Sequence, residues 1–224
     1  MNSKKEIAGD KGIESIGFSD NASDGIAALK QQVNRQFEQN GFFRIGKHCV
    51  QVADEACELA RRYGEDPSKA EVAGILHDIG AIIPNQDRVN FLGSRGIESL
   101  PEERLFPLIL HQRVSAVLAQ EFFQITNSDI LSAIGCHTTM KTGASGLDMI
   151  VFIADKIRWD QYGDPPYINE VRSGLQVSLE RGCLAYISYL MQQKEQLKVL
   201  HPWLIEAYRY LTEPKGTVAC KERL

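Results

Sequence analysis

The sequence predicts an all-α chain of about seven or eight helices, and three observations predict it. Apolar residues recur every three or four positions along nearly the whole chain, the period of a helix face rather than a strand. Helix-starting and helix-ending residues fall at the ends of those stripes. The composition, 43% hydrophobic and 24% charged over 224 residues, suits one sizeable core and is short for two.

Taken in order, Ile26, Leu29, Val33 and Phe37 form the first stripe, which Asn40-Gly41 stops. Ile45, His48, Val52, Ala56, Leu59 and Tyr63 form the second, which ends at Gly64. Asp66-Pro67 then reads as an N-cap with proline at the first helical position. The helix it opens carries Ala70, Ala73, Gly74 and His77 on one face and runs through "EVAGILHDIGAI". A loop around Pro84 follows. "PLILHQRVSAVLAQEFF" then sets His111, Val114, Leu118 and Phe122 at helical spacing. Asn127 or Ser128 caps a short helix bearing Ile130, Ile134 and His137. Ser145 caps another, with Leu147, Ile150, Val151, Ala154 and Asp155 inward. Two more helices follow "DPPY", over 167–194 and 202–212, and His201-Pro202 opens the second.

The ends are polar. Residues 1–23 and 214–224 read as loose tails around a single domain over 24–213. No internal repeat appears, and no apolar run reaches transmembrane length. The net charge of −4 argues against a general nucleic-acid binder, while a small anionic ligand stays compatible with a locally positive site. Five cysteines without a CxxC pair read as reduced thiols, hence a cytoplasmic protein with no membrane partner. Cys49 and Cys136 each adjoin a histidine, yet small core residues are the simpler reading.

Four of the five histidines, His48, His77, His111 and His137, lie on inward stripes. Asp78 and Asp155 share that setting. One histidine on an apolar face is ordinarily a core residue. Four on separate helices, with two interior aspartates, form an N/O ligand set suited to iron, manganese, zinc or similar ions. Buried charge of this kind is tolerated when a cation compensates it. Six ligands exceed one tetrahedral site, so either one crowded site or two ions bridged by Asp78 would account for them. His201, beside Pro202, reads as a surface or capping residue.

The order His48, His77-Asp78, His111, His137, Asp155 resembles the HD-domain phosphohydrolases. "HDIG" at 77–80 is a short motif, but "LHQRVSAVLAQEFF", "CHTTMKTGASGLDMIVFIADKI" and "HPWLIEAYRYL" are similar to the YqeK-like branch, the symmetrical diadenosine tetraphosphate hydrolases. The likeness covers roughly residues 27–212. It implies an all-helical HD-domain fold and a site of two divalent or mixed-valent ions, often iron, with manganese or another transition metal as the alternative. It implies six ligands, His48, His77, Asp78, His111, His137 and Asp155, and cleavage of the dinucleotide into two ADP. The chain departs from the branch at Ala81, where a lysine is common, and at "RWDQYG", where Glu-Pro and a nearby arginine are common.

Phosphoanhydride hydrolysis needs a strong nucleophile, charge neutralisation and in-line approach. A hydroxide bridging two ions supplies the first, with Asp78 as the catalytic group that holds the pair in register. Arg44, Thr138, Lys141 and Lys156 are the expected substrate contacts. Lys141, Lys156, Arg158 or Arg88 would substitute for the missing cations. Trp159 and Tyr162 offer faces for a base, although core or loop packing is the preferred reading. The partner is then a small nucleotide, and a homodimer stays open. A mononucleotide phosphohydrolase with fewer ions, or a non-catalytic metal-binding sensor module, are the competing readings.

Overall fold

The structure, a computed structural model, describes residues 23–159 and 161–213. The two expected tails, and Asp160 and Cys220, lie outside the described residues, except that Ser23 begins the first helix. No strand occurs among the described residues. The α-helices are α1 Ser23–Gln39, α2 Phe43–Tyr63, α3 Pro67–Leu76, α4 Arg88–Gly93, α5 Pro101–Leu105, α6 His111–Glu121, α7 Ser128–Cys136, α8 Gly146–Ile157, α9 Ile168–Val177, α10 Leu179–Gln192 and α11 Pro202–Thr212. Short 3₁₀ turns at Ile79–Ile82, Asn85–Asp87, Pro107–Leu110 and Lys194–Gln196 join them.

The local reasons are those read from the sequence. Asp66 accepts from the main-chain N–H groups of Ser68 and Lys69 at the start of α3. Asn127 does the same for α7, and Ser145 with Asp148 forms a capping box on α8. Phe37, Phe91, Phe123 and Phe152 are wholly buried in one continuous core. Helices α2 and α3 cross so closely that a Cβ on Gly74 would stand 2.6 Å from the Cα of Ala53.

The helix count exceeds the expectation for two reasons. The loop around Pro84 contains α4, α5 and the 3₁₀ turn Asn85–Asp87, segments too short to show a period. The helix expected over 167–194 is broken at Ser178. That residue is extended (φ −165°, ψ 167°), and its side chain accepts from the Arg181 N–H to start α10.

A second correction concerns the pair in "EVAGILHDIGAI". Helix α3 stops at Leu76, so His77 and Asp78 sit in the turn between α3 and the 3₁₀ segment rather than within a helix. His111 is likewise the first residue of α6, and His137 follows the last residue of α7. His201 does cap α11, accepting from the Trp203 N–H, but it is 2% exposed and not a surface residue. Its Nε2 lies 3.4 Å from buried Glu103, which also pairs with Arg113. The partner is 98 residues away in the chain, beyond the reach of local pattern.

Candidate metal centre

Helix ends build most of the site. The Nδ1–H of His77 donates to Gly74 O at 2.7 Å, that of His111 to Leu108 O at 2.7 Å, and that of His137 to Ile134 O at 2.8 Å. Each bond reaches back three residues to a carbonyl. A carbonyl carries no proton, so Nδ1 must be the donor in all three rings. In the neutral rings Nε2 is therefore a lone pair, and its direction is set by the main chain. The carbonyl ends of α3 and α7 also point towards this region, which favours positive charge there.

The lone pairs converge. His111 Nε2 and His137 Nε2 are 3.0 Å apart. Asp78 Oδ1 lies 3.1 Å from the first and 3.4 Å from the second. Beside them, His48 Nε2 is 3.0 Å from Asp155 Oδ1, and His77 Nε2 is 3.7 Å from the same oxygen and 3.6 Å from Asp78 Oδ2. Two groups result, His48–His77–Asp155 and His77–Asp78–His137, each with donor atoms within 4.8 Å of one another. His111 stands against the second, and His77 is common to both.

These atoms fit a metal. Nitrogens about 2.1 Å from one ion stand roughly 3.0–3.4 Å apart in octahedral or tetrahedral geometry, the spacing found here. The buried atoms His77 Nε2 and Asp78 Oδ1 have no hydrogen-bond partner. Acceptors facing acceptors repel, and a metal ion or a proton among them would relieve the repulsion. In the metal-free protein a proton serves. Burial opposes charge on His77, but the Asp78 carboxylate overrides it and lifts the ring well above its ordinary pKa. Burial would push Asp78 and Asp155 up. The His77 and His111 rings hold Asp78 well below the carboxylate range, and Lys156 with the His48 and His77 rings does so for Asp155. Burial drives His137 down to about 4, leaving a neutral ligand at pH 7.

The expected substrate contacts divide. Thr138 Oγ1 lies 3.1 Å from His111 Nε2, and its N–H donates to Gln112 Oε1, which also holds Thr139. Lys156 Nζ pairs with Asp155 Oδ2 and sits above the rings of Phe152 and Tyr186. Lys141, by contrast, is bound to Ser132 and Asp148, where it braces the start of α8. Arg88 is buried and donates to Ile83 O and Leu108 O. Leu108 O is also the acceptor that orients His111, so Arg88 supports the site's frame rather than facing a ligand. Arg44 is exposed on α2, one turn before His48. Tyr162 is fully exposed. Ala81 falls in the 3₁₀ turn after Asp78, partly buried. Neither Cys49 nor Cys136 joins either group; the described cysteines are free and buried.

A cavity of about 230 Å³ opens over His48, Asp78, Asp155 and Lys156, walled by Trp159, Tyr167 and Tyr186. Tyr167 and Tyr186 were not legible as site residues, because they come from the segment after α8 and from α10 and carry no motif. The Trp159 Nε1–H beside them is buried without an acceptor.

Gathered from α2, α8 and the ends of three helices, the residues define a metal-binding hydrolase site of the HD type. The HD domain family model matches residues 45–160, and the chain belongs to that family. It is 49% identical over 144 residues to an uncharacterised protein encoded in the pepC 5′ region of Lactococcus lactis subsp. cremoris, covering 64% of this chain and 73% of that one. It is 30% identical over 173 residues to the symmetrical bis(5′-nucleosyl)-tetraphosphatase of Bacillus subtilis, covering 76% and 86%. A solved structure from Clostridium acetobutylicum, named as a predicted HD superfamily hydrolase involved in NAD metabolism, superposes with a TM-score of 0.75 at 28% identity over 81% of this chain and 95% of that one. These likenesses support a metal-dependent phosphohydrolase.

Proposed function

We propose that the protein hydrolyses diadenosine tetraphosphate symmetrically to two ADP, with His48, His77, Asp78, His111, His137 and Asp155 holding two metal ions. One observation carries the ligand set: the Nε2 atoms of His111 and His137 face each other at 3.0 Å, with Asp78 Oδ1 against both. The substrate class rests on the tetraphosphatase relatives.

Bound ions would supply a nucleophile at neutral pH, by lowering the pKa of water to about 7, and would neutralise phosphate charge. The chain's residues do the rest. Asp78 presents Oδ1 to His111 and His137 and Oδ2 towards His77, so it links the two groups and holds their spacing. The neutral imidazoles add no negative charge, which keeps the site attractive to a polyanion. Lys156 brings a positive charge to the cavity wall within reach of a phosphate. The Thr138 hydroxyl and the Trp159 Nε1–H are donors for phosphate oxygens. The aromatic wall of Trp159, Tyr167 and Tyr186 excludes water from one side and can take a base face.

The experiment is a panel of dinucleoside polyphosphates and mononucleotides, run on metal-replete protein with products identified. Cleavage of diadenosine tetraphosphate to ADP alone supports the reading. Brisk mononucleotide dephosphorylation without dinucleotide cleavage replaces it with the mononucleotide phosphohydrolase reading.

A further inference from the structure

A second cavity, of about 420 Å³, flanks the other side of the last turn of α8. Its wall carries three arginines from three helices: Arg62 of α2, Arg158 at the end of α8 and Arg172 of α9. Glu55, Gln176 and an apolar strip of Leu59, Ile157 and Leu175 complete it. Arg158 Nη2 pairs with Glu55 at 2.8 Å, while its Nε–H is buried with no acceptor. Arg62 donates to Leu175 O through one nitrogen. One carboxylate against three guanidiniums leaves the cavity net positive in an otherwise acidic protein.

Glu55 stands seven residues after His48, two turns along nearly the same face of α2, or about 10.5 Å down the axis. Asp155, Lys156 and Trp159 line the metal-side cavity, while Ile157 and Arg158 line this one. The two cavities therefore share the α2–α8 seam. A ligand whose reacting phosphate lies at the metal centre could extend its far end here.

We infer that this groove binds the second nucleotide half of the substrate, the end that carries the leaving phosphates. This rests on the dinucleotide reading above. The chemistry matches each part of a nucleoside phosphate. Guanidiniums take phosphate oxygens in charge-assisted bonds. The Glu55 carboxylate can accept from ribose hydroxyls. Leu59 and Leu175 offer an apolar surface for a base. Arg158 also occupies the stretch "RWDQYG" that departs from the related branch.

The test uses ADP as probe. ADP binding is measured on metal-loaded protein with saturating inorganic phosphate present to occupy the centre. Wild type should still bind ADP, and Arg172→Ala and Arg158→Ala should each weaken that binding about tenfold, the loss of one charge-assisted contact. Arg172 is exposed, so its variant should fold, and Arg158→Lys should recover part of the loss. KM for diadenosine tetraphosphate should rise by a similar factor with kcat little changed. Unchanged ADP binding in both alanine variants overturns the inference whatever the enzyme cleaves. Weakened ADP binding with an unchanged dinucleotide KM also overturns it, since the groove would then serve a separate ligand. If wild type cleaves no dinucleotide, the functional reading fails on its own, and a groove that still binds ADP is not a substrate subsite.

Discussion

His111 Nε2 and His137 Nε2 face each other at 3.0 Å while the Nδ1–H of each ring is committed to a main-chain carbonyl. A metal ion held between the two Nε2 atoms would account for this spacing. Replacing both residues by alanine should lower bound metal by about one ion per chain and stop hydrolysis. The helices should remain, since α6 and α7 are held by Val114, Leu118, Ile130 and Ile134, all buried. Metal analysis with circular dichroism checks this. Full metal content with lost activity would make the two rings phosphate contacts instead.

Metal removal should also be visible as lost stability. Ligands that repel one another without a cation gain free energy when one binds the folded state only. Chelation should lower the melting temperature and restored metal should raise it in a saturable way. Asp78→Ala should respond weakly to either treatment and show no turnover. A wild-type melting temperature indifferent to metal would contradict the ligand set.

Gly80 explains why the short "HDIG" motif ends in glycine. A Cβ there would stand 2.4 Å from His111 O and 2.7 Å from Ser115 N, and both obstacles are main chain. The Gly80 N–H also donates to Ser115 Oγ at 2.8 Å. Gly80→Ala should destabilise the fold by about 1–3 kcal/mol and move His111 away from Asp78. Chemical denaturation and metal content measure the two effects. A wild-type value for both would show that the segment yields freely.

The set of six side chains was legible because each interrupts an apolar stripe with a group that is costly to bury. Their geometry was not. Periodicity shows which face a residue occupies but not that His77 and His137 stand just past a helix end. There the imidazole itself takes the carbonyl three residues back, with no glycine to mark the stop. The break at Ser178 was hidden in a continuous amphipathic pattern. Lys141 and Arg88 looked like available cations, but their partners Asp148 and Leu108 O are fixed by tertiary packing. His201 looked exposed for the same reason, its partner Glu103 being distant in sequence.

That pair gives a pH prediction. Burial pushes the Glu103 carboxyl up, but the His201 hydrogen bond, the Leu100 N–H and Arg113 outweigh it and leave the pKa below the ordinary value. A depressed carboxylate contributes stability that is complete above its unfolded pKa of about 4.3 and is lost as pH falls through the folded value. Melting temperature should therefore fall less steeply below pH ~4.5 in Glu103→Gln than in wild type. His201→Ala, which also removes the α11 cap, should cost about 0.5–2 kcal/mol yet leave metal content near wild type. Parallel pH profiles for wild type and Glu103→Gln would contradict this assignment.

The most direct measurement of the central claim is hydrolysis of diadenosine tetraphosphate by metal-replete protein in heavy-oxygen water, with products resolved by mass. In-line attack on a phosphorus beside the central bridge should give two ADP, with one heavy oxygen on only one of them per turnover. AMP with ATP would show that the substrate sits in another register. Heavy oxygen on an adenosine or ribose fragment would contradict attack at phosphorus, and no dinucleotide cleavage at all would contradict the account.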